Sequence, residues 1–530
     1  MRYFSTRGAD AYLSFEDTVL TGLAPNGGLF IPESIPKLPD RWQVDWQSLS
    51  FQQLSLEILS LYISPNEISR DELADLVERS YSTFRHPEVT PLVKLNDSTF
   101  VLELFHGPTY AFKDVALQLL GNLFEFFLAR RNNRLSSGEQ RHRLTVLGAT
   151  SGDTGSAAIY GLRGKADIDI FILHPKGRVS PIQEAQMTTV QDSNVHNLAV
   201  RGTFDDCQDI VKQLFADRAF NAKHRLGAIN SINWARILAQ TVYYFLSYFA
   251  ARKTLPEGST LQFVVPTGNF GDVLAGYYAR RMGLPLERLA IATNENDILA
   301  RFWATGRYEK SASTPTDTVA APANGASDGK QAVQDVRETL SPAMDILVSS
   351  NFERLLWYLA FEAHGADNVA TACADVKSWM DAVKTDGRTE VPTAVLALAR
   401  RDFVAERVSD AQTLETIASV YASAKYVADP HTAVALAAAK RLAASNTRQV
   451  VLSTAHPAKF SDAVTRALNG VASFNFERDV LPEDFKGLLD LPRRIVDIAA
   501  PDPELVKSAI EKALASKEKN ASGVAAEPSV

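Results

Sequence analysis

From residue 97 onward the chain repeats one pattern: a run of apolar or β-branched residues, a Gly-containing turn, then apolar positions at helical spacing. The clearest cases are Leu144-Thr145-Val146-Leu147 before Gly148-Ala149-Thr150-Ser151-Gly152, and Phe263-Val264-Val265 before Pro266-Thr267-Gly268-Asn269-Phe270-Gly271. Further runs at 168–173, 289–292 and 450–453 have no polar alternation, which is the pattern of strands buried on both faces. The body therefore reads as an α/β domain with a largely parallel sheet. Residues 1 to 95 differ, with a turn cluster at 24–28, a strand-like Leu29-Phe30-Ile31-Pro32 and helical spacing over about 50–82, so they read as a separate mixed α/β N-terminal domain.

The same patterning divides the rest. An α/β body is expected over 96–465, a C-terminal segment packed on it over 466–515, and a disordered tail over 516–530. Residues 308–342 are short of large apolar side chains and read as a surface insertion. Asp429-Pro430 supplies an N-cap and a first-turn proline, which marks the Ala-rich stretch 433–444 as a helix rather than low complexity.

Composition narrows the ligands. The 530 residues hold 55 Lys plus Arg against 62 Asp plus Glu, a net charge of −7 with no basic excess to attract nucleic acid, so small-molecule ligands are expected. Only Cys207 and Cys373 are present, far apart, leaving no basis for a disulfide framework or a thiolate metal site, and no metal is expected. Apolar stretches are broken by charge before the roughly 20 residues a membrane span needs, and the first residues lack the apolar core of a signal peptide. A cytoplasmic location with no membrane association is expected.

Three turns sit where chemistry could be placed. Gly268-Asn269-Phe270-Gly271-Asp272 opens a helix, where unpaired amides and the dipole favour an anion; the competing reading is a tight turn that only needs positive φ. Residues 148–156 combine four Ser or Thr with three Gly but lack the Lys of a nucleotide-triphosphate loop, so they suit a carboxylate or are simply a Ser/Thr-capped helix start. In His106-Gly107-Pro108-Thr109-Tyr110-Ala111-Phe112-Lys113-Asp114 a lysine stands at the first turn of an apolar helix, against the dipole. Buried there, it would lose proton affinity and suit Schiff-base chemistry; exposed, it would be an ordinary surface lysine.

In this order the three motifs resemble those of the fold-type-II pyridoxal-phosphate enzymes, and within them most closely the long, fungal-type threonine synthases. The resemblance extends to Ser231-Ile232-Asn233-Trp234-Ala235-Arg236, to 453–460 and to the N-terminal motifs at 3–8 and 22–32. It implies a pyridoxal 5'-phosphate cofactor joined as a Schiff base to Lys113, which also moves protons. It implies a body of two open α/β lobes, with Gly268, Asn269, Phe270 and Gly271 holding the cofactor phosphate, Asp272 positioning that loop or contacting the cofactor, and Thr454 facing the pyridine nitrogen. Thr150, Ser151, Gly152, Asp153 and Thr154 match the substrate-carboxylate loop, with Asp153 where many cousins carry Asn. Asn230, Ser231, Asn233 and Arg236 are candidates for the substrate phosphate, Lys459 is a second cation, and His106 is either a ring neighbour of the cofactor or a core histidine.

The activity so implied converts O-phospho-L-homoserine and water to L-threonine and phosphate, in a monomer or weak homodimer. The rivals are a phospho-lyase releasing 2-oxobutyrate from phosphohomoserine or phosphothreonine, a threonine or serine dehydratase, and a cofactor-binding protein without turnover. The candidate phosphate-binding residues around Arg236 argue against the dehydratase, and the intact Lys113, Asn269 and Thr454 against the last.

Overall fold

The structure is a computed structural model, and it describes residues 1–8, 12–229, 231–310, 336–365 and 368–523. Two sheets organise the body. The larger runs Phe403–Arg407, Leu289–Thr293, Thr260–Pro266, Thr447–Ser453, Thr99–Glu103, Leu92–Lys94, with every pair parallel except the last. The second runs Val496–Ile498, Val195–Val200, Ile168–Pro175, Leu144–Ala149, Leu226–Ala228, parallel throughout. The apolar runs at 144–147, 168–173, 263–265, 289–292 and 450–453 all lie in these strands, and Ile168–Pro175 is buried at every position.

Two long helices lie in one continuous core with both sheets. Lys113–Asn132 is buried on nearly all faces, as is Trp234–Arg252. Helix Asp153–Leu162 touches the first of these backbone to backbone: a Cβ on Gly121 would stand 2.0 Å from the Gly161 carbonyl oxygen, and one on Gly161 2.6 Å from that of Leu117. Only glycine fits at that crossing, and it fixes the starts of the two helices, Lys113 and Asp153, relative to each other.

The N-terminal residues form a two-stranded antiparallel ribbon, Tyr3–Ser5 with Phe30–Pro32, and helices that include Phe51–Tyr62 and Arg70–Tyr81. Both of those helices begin in full capping boxes, Ser50 with Gln53 and Ser69 with Glu72, each cap worth about 1 kcal/mol. The domain merges with the body: Tyr3 of the ribbon and Tyr62 each pack on Trp234 with ring centroids 5.9 Å apart, and Glu353 accepts from Thr6 Oγ1 at 2.6 Å and from Arg7 at 2.9 and 2.7 Å.

Two boundaries differ from the patterning. Most of the stretch expected as an insertion, 311–335, lies outside the described residues, but its flanks are structural: Tyr308 and Glu309 belong to a buried strand, and Ser341 is buried under Asn294. At the other end, helix Pro503–Gly523 continues past 516, and Lys517 pairs with the buried Asp169 at 2.8 Å; only 524–530 lie outside the described residues. A lysine-rich sequence looks like a solvated tail until its buried acid partner is known. Among the described residues no helix is long and apolar enough to cross a membrane.

Candidate active site

The loop before Lys113 is held by its own chemistry and by the far end of a strand. Thr109 donates from its amide and its hydroxyl to the two Asp114 carboxylate oxygens, each at 2.8 Å. Phe112 N donates to Thr454 O at 2.8 Å and His456 N to Tyr110 O at 3.1 Å, so 109–113 and 454–456 form one unit at the C-terminal end of the larger sheet. The result places Lys113 as the first residue of its helix, buried, with no hydrogen bond or ion pair to its Nζ among the described residues. Burial pulls its pKa down to about 8; Asp153 opposes that shift, and Lys459 and Arg236 add to it. At neutral pH roughly a tenth of such an amine is unprotonated, enough for a nucleophile or base.

The 148–156 turn is built around Thr150. Its Oγ1 accepts from Gly152 N and Gly155 N, both at 2.9 Å. With both lone pairs taken, the hydroxyl proton is left only to donate, which suits an anion. Helix Asp153–Leu162 has Gly152 as its N-cap and no side-chain cap, so the expected Ser/Thr-capped start is replaced by this threonine-centred loop. The amides of Ser151, Asp153 and Thr154 and the hydroxyls of Ser151 and Thr154 have no partner among the described residues. Asp153 itself turns to Lys459 at 2.6 Å and accepts from Gln183 Nε2 at 2.8 Å, both in full burial. Burial alone would raise its pKa, but Lys459 and then Lys113 overcome that and hold it well below the usual carboxylate range. Lys459 also donates to Thr109 O at 2.9 Å, so the second cation expected for substrate is committed to the scaffold.

In the 267–272 loop the amides of Gly268, Asn269, Phe270, Gly271 and Asp272 all lack an acceptor among the described residues and lead into helix Gly271–Met282. Such a run of open amides at a helix start is an anion cradle. The positive φ that the tight-turn reading places on a glycine falls instead on Phe270, at 65°, whose ring is stacked on Trp303. Gly268 is required for space, because a Cβ there would stand 2.8 Å from the Ala343 carbonyl oxygen. Asp272 does not line the cradle with its carboxylate. Oδ1 accepts from Tyr243 at 2.6 Å and Tyr244 at 2.9 Å, and burial raises its pKa to about 7 against those hydrogen bonds.

Of the loop before Trp234, Asn230 lies outside the described residues. Ser231 Oγ meets Ser350 Oγ at 3.4 Å. Asn233 is the N-cap of its helix, with Oδ1 accepting from Ala235 N and Nδ2 donating to Val19 O, so its side chain holds the fold together. Arg236, a phosphate candidate by the resemblance, is buried; Nη1 reaches Ile229 O at 3.1 Å, Nε has no partner and no carboxylate pairs with it among the described residues. Burial lowers its pKa to about 10. His106 binds Glu103 at 2.8 Å and packs on Phe105 and His86.

Several supporting residues carry no sequence signal. Ser349 donates to Gly268 O at 2.7 Å, Ser350 Oγ to Asn269 Oδ1 at 3.0 Å, and Asn351 to Asn269 O from both its amide and its Nδ2. Their partners lie some 80 residues earlier, and of the two sides of each contact only the 267–272 turn stands out locally.

These groups fit a phosphorylated aldehyde cofactor: a buried amine near pKa 8, a cradle of five open amides, and a Thr454 hydroxyl with no hydrogen-bond partner among the described residues. The family models agree along the chain. "Threonine synthase N terminus" matches residues 2–81, "Pyridoxal-phosphate dependent enzyme" 83–351 and "Threonine synthase, C-terminal" 432–510. Threonine synthase of Schizosaccharomyces pombe is 55% identical over 525 residues, covering 98% of this chain and 99% of its own, and that of Saccharomyces cerevisiae 54% over 527 residues, covering 97% and 98%. The crystal structure of threonine synthase from yeast superposes with a TM-score of 0.89 at 53% identity, covering 97% of this chain and 99% of that one. A PLP-bound threonine synthase from Brucella melitensis gives 0.83 at 41%, covering 97% and 99%. With a lysine, an amide cradle and a hydroxyl-rich loop placed as that chemistry needs, and with both lobes and the N-terminal domain matched, the chain belongs to the threonine synthase family of pyridoxal-phosphate-dependent enzymes.

Proposed function

We propose that this chain converts O-phospho-L-homoserine and water to L-threonine and inorganic phosphate, using pyridoxal 5'-phosphate. The observation that supports the reading is the combination of three kinds of group: a buried amine with no hydrogen bond or ion pair, two runs of open amides, and a buried guanidinium without a carboxylate, all among the described residues. When bound, the cofactor supplies an electron sink for carbanions at the substrate's α and β carbons. The amides of Gly268 through Asp272 bind its phosphate, and the Thr454 hydroxyl meets its ring nitrogen. Lys113 Nζ holds the cofactor and, once released from it, carries protons between the substrate carbons. Thr150, Ser151 and Thr154, with the amides of that loop, bind the substrate carboxylate. Arg236, with Ser231 and Asn230, binds the substrate phosphate and stabilises the negative charge that grows on it as the Cγ–O bond breaks.

The Asp153–Lys459 pair keeps a net neutral unit beside Lys113, so Lys113 can lose its proton without facing a bare acid. Domain limits of 1–95, 96–465 and 466–515 go with this reading, as do a cytoplasmic location and a monomer or weak homodimer, checked by cell fractionation and light scattering. Purified holoenzyme given phosphohomoserine should yield threonine and phosphate in equal amounts. Release of 2-oxobutyrate with ammonia would move the assignment to a phospho-lyase, and no turnover would make the chain a binding protein.

A further inference from the structure

Arg354 is completely buried, and no carboxylate pairs with it among the described residues. Burial lowers its pKa to about 10. A buried charge is costly unless paired or fully hydrogen-bonded, so what this guanidinium touches shows what it is kept for. Nε donates to Phe30 O of the N-terminal ribbon at 2.9 Å, Nη2 to Ile232 O at 2.6 Å, and Nη1 to Asn351 Oδ1. Asn351 in turn donates twice to Asn269 O, from its amide at 3.1 Å and Nδ2 at 2.9 Å.

Both carbonyls at the ends of these chains belong to trans peptides, whose N–H points opposite to the C=O. The peptide that receives at Asn269 O carries the N–H of Phe270, and the one that receives at Ile232 O carries the N–H of Asn233. Neither N–H has an acceptor among the described residues. One opens into the cofactor-phosphate cradle; the other lies in the loop leading to Arg236. Hydrogen bonds in a chain polarise one another, and a cation at the head of the chain strengthens the donor at its far end.

We propose that Arg354 is a positioning residue for both phosphates, orienting and polarising the Asn269–Phe270 peptide toward the cofactor's and the Ile232–Asn233 peptide toward the substrate's. The inference rests on the loop assignments under the proposed function. It also gives the N-terminal domain a part in the site: Phe30 O locks the plane of the guanidinium, so the ribbon sets the direction of the other two arms.

The neighbouring Glu353 provides the control. It ties the same domain to the body through Thr6 and Arg7 but reaches neither loop. Dissociation constants for pyridoxal phosphate and for pyridoxal are measured on apoenzyme by tryptophan fluorescence; their ratio isolates what the phosphate contributes. Arg354→Lys keeps the charge and loses the fork, and should weaken pyridoxal phosphate roughly tenfold or more while pyridoxal stays within about twofold, with a raised KM for phosphohomoserine in the reconstituted enzyme. Glu353→Gln should lower Tm and leave the ratio intact. Asn351→Ala, which cuts only the cradle arm and keeps the Phe30 contact, should reduce the ratio while KM for phosphohomoserine stays within about twofold. If Arg354→Lys weakens both ligands equally, if Glu353→Gln erodes the ratio as much, or if Asn351→Ala leaves it unchanged, Arg354 is only structural and the inference fails. A wild-type apoenzyme with no preference for pyridoxal phosphate over pyridoxal would instead overturn the cradle assignment, and this inference with it.

Discussion

Lys113 is the residue on which burial acts most directly. Its ordinary pKa is near 10.5 and the site lowers it to about 8, so the amine becomes reactive more than two pH units earlier than a surface lysine. Asp153 holds part of the proton affinity in place, and its removal works in the same direction as burial. Acylation of apoenzyme by an amine-selective reagent, followed at Lys113 by peptide mapping, should show a midpoint near pH 8, and Asp153→Asn should move it lower. A midpoint unchanged or raised in that variant would contradict the electrostatic account. The two loop glycines differ in the space around them and not in conformation. Ala at Gly268 drives a Cβ into the Ala343 carbonyl and the Met344 Cα at 3.1 Å, backbone that cannot step aside, whereas Ala at Gly271 meets only ordinary contacts at 3.4 Å or more and no positive φ. Gly268→Ala should therefore cost roughly 1–3 kcal/mol by denaturant titration and weaken cofactor binding. Gly271→Ala should stay within about 0.5 kcal/mol.

Among the elements, the start of helix Asp153–Leu162 and the short turn Pro457–Phe460 are joined by the Asp153–Lys459 pair, with Lys459 also on Thr109 O and so on the lysine loop. A buried pair contributes little against an apolar replacement but is expensive to break on one side. Lys459→Met should thus lose roughly 3–5 kcal/mol in urea unfolding, and adding Asp153→Asn should recover part of it; full additivity of the two losses would show that the pair is not coupled. Strand, turn and helix lie within a dozen residues of one another at Lys113, 148–156 and 267–272, so the periodicity and the glycines mark all three. What braces them is spread along the chain: Lys459 is 306 positions from Asp153, and Asn351 is 82 from Asn269. Arg354 lies within helix Phe352–Ala363, whose pattern is that of any buried helix, so nothing local distinguishes a guanidinium aimed at three carbonyls from one at the surface. The last turns of helix Pro503–Gly523 are equally illegible, since the acid that pairs with Lys517 is at 169.

At the scale of the whole molecule, the net charge of −7 conceals a local excess of the other sign. Among the described residues Arg236 and Arg354 are buried cations without carboxylates, and Lys113 stands close enough to Arg236 for the two to repel. Held together in the apoprotein, such charges oppose folding; an anion that enters relieves them, and its binding energy is added to stability because the unfolded chain has no such site. Inorganic phosphate, the small end of both expected ligands, should therefore raise the Tm of the apoprotein, by the equivalent of about 2.7 kcal/mol at a hundred times its dissociation constant. A nonspecific salt effect would appear equally with chloride at matched ionic strength. In Arg236→Met the burial cost of the guanidinium is gone and so is one anion partner, so the apoprotein should lose little stability, or gain some, while the phosphate-induced rise shrinks. Scanning fluorimetry of both proteins with phosphate and with chloride tests this directly: a variant that is strongly destabilised yet keeps the full phosphate response would show that Arg236 serves packing and that the anion binds elsewhere.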